Sequence, residues 1–287
     1  MGTEIIQKPK KKFSVGAIFC LVTAVAITCF GLWGIIVGLL QSAINVYNYF
    51  SFMTVHNDGY FYMVFMSYIG NIISGLTSTA IALCSLIAAV TLVIFGILLL
   101  FKVKSRFVGL IFVCPAAASV LAIVFLVGGY AIRFVIALLF DARWALSDLV
   151  TSVVLGALNS IPHIATVVCW IVLAIVILAL GGSKRYSKTG TVISCIAAAV
   201  VALLFVGTQL IGFGTVALIN GMTILTYLMD IMRFGAEIMG PAVQILLTNV
   251  GSIIVAAIRN GVLGVLFALT TFFSVKWIIA PYKKAKN

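Results

Sequence analysis

The stretch "IALCSLIAAVTLVIFGILLLFKVKSR", Ile81 to Arg106, decides the fold. Its first 21 residues carry no charge, and three basic residues then fall within five positions. About 20 apolar residues in a helix cross the hydrocarbon of a bilayer, and cytoplasmic flanks of such spans are enriched in Lys and Arg. The pattern is that of a membrane span ending at a basic anchor.

The whole chain extends this reading. Of its 287 residues, 64% are hydrophobic and 8% are charged. Soluble domains carry about 25% charged residues, so the solvent for this much apolar surface is lipid. The apolar runs are long and do not alternate, which excludes the ten-residue segments of a transmembrane barrel. The fold class is therefore all-α and polytopic. Six spans are expected, at about 14–40, 74–101, 107–128, 163–182, 190–213 and 261–280. The basic start followed by an apolar run at residues 7–30 resembles a secretory signal, but the run continues to Leu40 and reads as an uncleaved first span.

Charge distribution sets orientation and excludes a function class. The net charge of +12 would suit nucleic acid, but 14 of the 18 basic residues sit in four short clusters that bound spans, joined by one acid, Glu4. Those clusters precede span 1, separate spans 2 and 3, separate spans 4 and 5, and follow span 6. All four land on one side, which predicts cytoplasmic termini in a cell (plasma) membrane and anionic lipid headgroups as partners. Nucleic acid is excluded as a partner.

A repeat of three two-span units follows from the same pattern: 1–105, 106–183 and 184–287. Aligning Gly109 with Gly190 places Cys114 on Cys195 and the alanines 116–118 on 197–199; Gly16 and Cys20 fit with one residue deleted. Tandem two-span units in threes resemble the architecture of mitochondrial carriers. That family carries Pro-x-Asp/Glu-x-x-Lys/Arg at the ends of its odd spans, and none of Pro9, Pro115, Pro162, Pro241 or Pro281 begins such a motif, so membership is excluded.

The links between paired spans are each over 30 residues and apolar, with sparse polar groups. Structureless links that long are uncommon. Amphipathic helices lying on the outer face are the expected form.

These links hold five of the six acids and four arginines. Asp230, Arg233 and Glu237 are spaced i, i+3 and i+7, one stripe of a helix in which Arg233 pairs with either acid. Facing water, the stripe is an ion-pair ladder worth about 0.2–1 kcal/mol per pair. Facing a shared cavity, it marks a pathway or subunit contact. Asp141 and Asp148 share a helix face beside Trp144, Arg143 points elsewhere, and Arg133 is the charge placed nearest a span in that link. Arg259 completes the candidate polar set. Arginine in place of lysine suits bidentate pairing with carboxylates or lipid phosphates.

No metal, cofactor or catalytic motif is present. His56 and His163 are single, and Asn57, Asp58 and Gly59 beside His56 read as turn chemistry. Pro162 is expected to start span 4, with His163 in its first turn. Arg259, Asn260 and His163 are the polar groups nearest the span ends and form no known catalytic set. The six cysteines fall in the spans without a Cys-x-x-Cys pair and read as packing residues. Gly34 and Gly38 form a Gly-x-x-x-Gly pair for close helix approach, while Gly207, Gly212 and Gly214 punctuate span 5. Two function classes remain: a transport component, either channel-like or a permease membrane subunit, and a non-catalytic scaffold with a protein partner or a second copy.

Overall fold

The computed structural model describes residues 14–55, 61–140, 142–181, 188–234 and 239–279. Six helices account for nearly all of them: α1 (Val15–Val55), α2 (Phe61–Leu100), α3 (Val113–Phe140), α4 (Ala142–Leu180), α5 (Lys188–Phe234) and α6 (Met239–Ile279). A 3-10 segment, Arg106–Phe112, leads into α3. All six helices contain apolar windows long enough to cross a membrane. The all-α, six-span expectation is met, and the protein is an integral membrane protein.

The expected outer-face helices are not separate elements. The link residues among those described prolong the spans instead. The apolar helix expected at 163–182 runs over Val153–Leu180, and that expected at 190–213 runs over Thr189–Met229. The 47 residues of α5 reach about 70 Å, more than twice the hydrocarbon thickness. The reason lies in the link sequences. They are rich in helix formers and hold few breakers, so the helices run on through them. α1 ends at Val55 and α2 begins at Phe61; Asn57, Asp58 and Gly59 lie outside the described residues. Pro162 also differs from expectation: it lies inside α4 rather than at its start. Its ring nitrogen has no proton, so the Leu158 carbonyl lacks its usual helical donor. Gly207, Gly212 and Gly214 lie within an unbroken α5.

Each helix packs on the next in sequence, and α6 packs back on α1. Buried residues concentrate where α1, the 3-10 segment and α5 begin and where α2, α4 and α6 end. Lys102, Lys104, Arg106 and Lys276 lie at this same end, with Lys104 Nζ 5.4 Å from the Trp277 ring centroid. At this basic end an aromatic cluster fills the bundle axis. Phe95, Phe112, Trp170, Phe205 and Phe267 come from five different elements, and all are buried. Trp170 is central, with ring centroids 5.8 Å from Phe112, 4.9 Å from Phe205 and 5.8 Å from Phe267.

Towards the other end the bundle loosens. In α1, buried residues below Ile27 cover two sides, whereas beyond it they reduce to one stripe, Gly31, Gly38 and Ser42, which packs on α2. The seam between α1 and α6 is held at the basic half. Thr23 Oγ1 lies 2.6 Å from Thr270 Oγ1, and Cys20 Sγ lies 3.3 Å from Ser274 Oγ. The three aligned cysteines occupy different surroundings: Cys20 is buried, Cys114 exposed and Cys195 intermediate.

The Thr23–Thr270 contact supplies a first test. Thr23→Val leaves a buried hydroxyl without this partner, and interhelical hydrogen bonds in membranes average about 0.6 kcal/mol and reach about 1.7. The expected loss is about 1 kcal/mol in chemical unfolding of the purified protein. Adding Thr270→Val removes the orphaned hydroxyl and is expected to recover part of that loss.

Candidate functional site

The polar residues singled out in the links divide into two groups. Asp141 and Glu237 lie outside the described residues. Asp230 and Arg233 fall in the last turns of α5, and Arg143 and Asp148 fall in the first turns of α4; their side chains lie outside the description. All four are far from the aromatic cluster, at the end opposite the basic anchors. Arg133 is half-buried in α3 and packs where α2 has no side chain: a Cβ at Gly70 would sit 3.5 Å from its Cζ.

Arg259 is different. Its side chain is exposed on α6. His163 on α4 is half-buried, and Arg259 lies within electrostatic range of it.

The helices explain why these residues meet. His163 is seven residues from Trp170 on α4, and Arg259 is eight from Phe267 on α6. Both spacings are about two turns, which sets each residue about 11–12 Å beyond its ring towards the loose end. His163 keeps nearly the face of Trp170, whereas Arg259 is turned about 80° from Phe267, and the buried Asn260, seven residues from Phe267, holds that face instead. The two rings touch, so the residues above them are level. Gly212 of α5 closes the third side. A Cβ there would lie 3.1 Å from Asn260 Oδ1 and 4.0 Å from Pro162 Cβ. Asn260 is buried and its Nδ2 donates to the Ala256 carbonyl at 2.8 Å. One turn below, Cys169 Sγ and Thr208 Oγ1 are 2.9 Å apart.

Reasoning from the sequence named Arg259, Asn260 and His163 but found no set in them, because nearly a hundred residues separate His163 from Arg259. The available signal was their common distance of two turns from an aromatic residue. Pro162 also marks the level, as the only proline well inside a described helix.

A second polar surface lies at the basic end. An open groove of about 370 Å³ is lined by Lys104, Ser105, Arg106, Phe107 and residues 179–181. Partial burial lowers the Lys104 pKa from its ordinary value. Among the described residues no group of three or more His, Cys, Asp or Glu could hold a metal ion. Comparisons with protein-family models, with curated proteins and with solved structures find no match to this chain.

Proposed function

We propose that this chain is a transport component, channel-like or the membrane subunit of a permease, with no chemistry of its own. The carrying observation is that Arg259, within electrostatic range of His163, stands inside the apolar length of α6, above a bundle axis filled by aromatic rings, because charges at such depth usually mark a pathway. A bundle closed by packed rings at one end and loosely packed at the other suits one state of a transporter. The positive-inside rule orients the basic end towards the cytoplasm of a cell membrane, so Arg259 and His163 lie on the outer side of the ring cluster. The groove at Lys104 and Arg106 then faces anionic headgroups of the inner leaflet.

A labelling experiment tests this reading. The native cysteines are replaced by alanine, and Arg259→Cys is compared with Val265→Cys, whose parent side chain is exposed on the same helix. A membrane-impermeant thiol reagent added outside intact cells is expected to modify the first and spare the second. Equal inertness of the two variants, or modification of Arg259→Cys from the basic side alone, removes the basis for water access to Arg259 from outside. Solute flux in proteoliposomes is the functional readout.

One observation favours a second reading, a non-catalytic subunit or scaffold. The helices continue well beyond a bilayer's thickness with exposed apolar side chains, including Tyr47, Phe50, Leu139 and Met232. A stoichiometric protein partner recovered by gentle extraction, together with no flux, supports that reading.

A further inference from the structure

We propose that the groove between the α2–α3 turn and the end of α4 holds the phosphate of one anionic glycerophospholipid per chain. The inference rests on the reading above that this groove faces the inner leaflet, and it does not require transport.

The turn brings two cations to one side. At the end of α2 the Lys102 N–H donates to the Leu99 carbonyl at 3.1 Å and the Val103 N–H to the Leu98 carbonyl at 3.0 Å. This paired closure runs through a residue in the left-handed region, here Lys102 at φ 56°. Glycine is the common residue at such a position, because a side chain is disfavoured there. The chain then reverses, and Ser105 is extended at φ −114° and ψ 138°. An extended residue sets its two neighbours on one face, and Lys104 and Arg106 both line the groove. Ser105 Oγ accepts from the Phe107 N–H at 3.3 Å, which ties the turn to the 3-10 segment.

The end of α4 forms the facing wall at a fixed distance. A Cβ at Gly181 would lie 3.1 Å from Arg106 Cα, and one at Gly109 would lie 2.8 Å from the Ala174 carbonyl oxygen. Lys104 is held from behind by the Trp277 ring, 5.4 Å from its Nζ, and the Arg106 Cζ stands 5.2 Å from the Phe107 ring centroid. Partial burial already disfavours the charged form of Lys104, and an anion beside it offsets that loss of solvation.

The chemistry of the walls selects the occupant. The guanidinium fork of Arg106 matches two oxygens of a phosphate, and the Lys104 ammonium adds a further charged donor. A volume of about 370 Å³ admits a group of that size. The groove is not polar throughout. Phe107 is exposed, Leu110 follows it one 3-10 turn along and is exposed too, and Leu180 is half-buried on the facing wall. A cationic mouth that continues into apolar side chains fits an amphiphile better than a free ion. Basic pockets between spans on the cytoplasmic side take anionic headgroups in this way.

The test uses purified full-length protein in detergent, stripped of phospholipid. Thermal unfolding is followed at constant ionic strength against phosphatidylglycerol, phosphatidylcholine and inorganic phosphate, and native mass spectrometry counts the lipid retained. Phosphatidylglycerol is expected to raise the unfolding temperature saturably, with one lipid per chain, and the other two probes to do so weakly or not at all. Lys104→Gln and Arg106→Gln are each expected to weaken the apparent affinity by about tenfold or more, the scale of a lost charged hydrogen bond. Lys276→Gln removes the same charge at the same end but outside the groove lining, and is expected to stay within about twofold of wild type. Arg106 is exposed, so its variant remains informative if Lys104→Gln fails to fold. Equal stabilisation by phosphatidylcholine, an equal response to inorganic phosphate, a loss in Lys276→Gln as large as in Arg106→Gln, or no response to phosphatidylglycerol overturns the proposal. Lipid binding without any flux retains the site and removes the transport reading, whereas flux from a protein that shows no lipid response does the reverse.

Discussion

Gly75→Leu is expected to prevent α1 and α2 from forming their native contact. A Cβ at Gly75 would meet Ser42 Oγ and lie 2.7 Å from the Gly38 carbonyl oxygen. The first obstacle is a short side chain, but the second is backbone, which cannot rotate away. Gly38 is equally close on the other side, its Cβ position 2.7 Å from the Gly75 carbonyl. The helices touch through their backbones here, and only a residue without a side chain permits it. Overpacking a well-packed site costs about 1–3 kcal/mol and sometimes more. With backbone on both sides, about 3 kcal/mol or more is expected, because the helices must part and lose the contacts along this seam. Denaturant titration of the purified variant measures it. Gly207→Ala is the control, since a Cβ there meets nothing within 4 Å. It is expected to remain within about 0.5 kcal/mol of wild type. Equal stability of Gly75→Leu and Gly207→Ala would show that the α1–α2 approach is looser than the structure has it.

Trp170→Ala is expected to have the second large effect, on stability and on closure together. The indole is buried and contacts three aromatic rings from the 3-10 segment, α5 and α6. Replacing a buried Trp or Phe with alanine costs about 3–5 kcal/mol. In a membrane the transfer contribution is smaller, but lost dispersion contacts and the cavity remain. Trp170→Phe keeps most of the packing and is expected to cost less than about 1.5 kcal/mol. If the rings close a path, Trp170→Ala in liposomes also leaks small ions while Trp170→Phe does not. A Trp170→Ala protein as stable as wild type would deny the cluster its role in the core. A stable but leak-free variant would leave the core intact and place the barrier elsewhere.

Span number, helical class and the gathering of Lys102, Lys104, Arg106 and Lys276 at one end were all legible without a structure. They follow from local quantities: run length against bilayer thickness, and the cost of placing charge in hydrocarbon. The Gly34–Gly38 pair was also legible as packing, and Gly38 indeed meets Gly75. The ends of the helices were not. The link between α5 and α6 looked like a separate element because its polar residues broke the apolar run. A helix tolerates such residues, and α5 continues through Asp230 to Phe234. Pro162 likewise suggested a boundary, but the rest of α4 is enough to carry one missing hydrogen bond.

The candidate site shows the division most clearly. The sequence by itself determined that this protein lives in a bilayer as six helices, because hydrophobicity and charge act residue by residue and need no knowledge of neighbours. It also displayed Asp230, Arg233 and Glu237 as an obvious charged stripe. Only the tertiary structure decided that Arg259 comes within electrostatic range of His163, about two turns beyond Trp170 and Phe267 along their helices. Helix packing sets which distant residues share a level, and that depends on how close the backbones come at glycines such as Gly75 and Gly109. Those distances arise between helices, so no window along a single helix contains them.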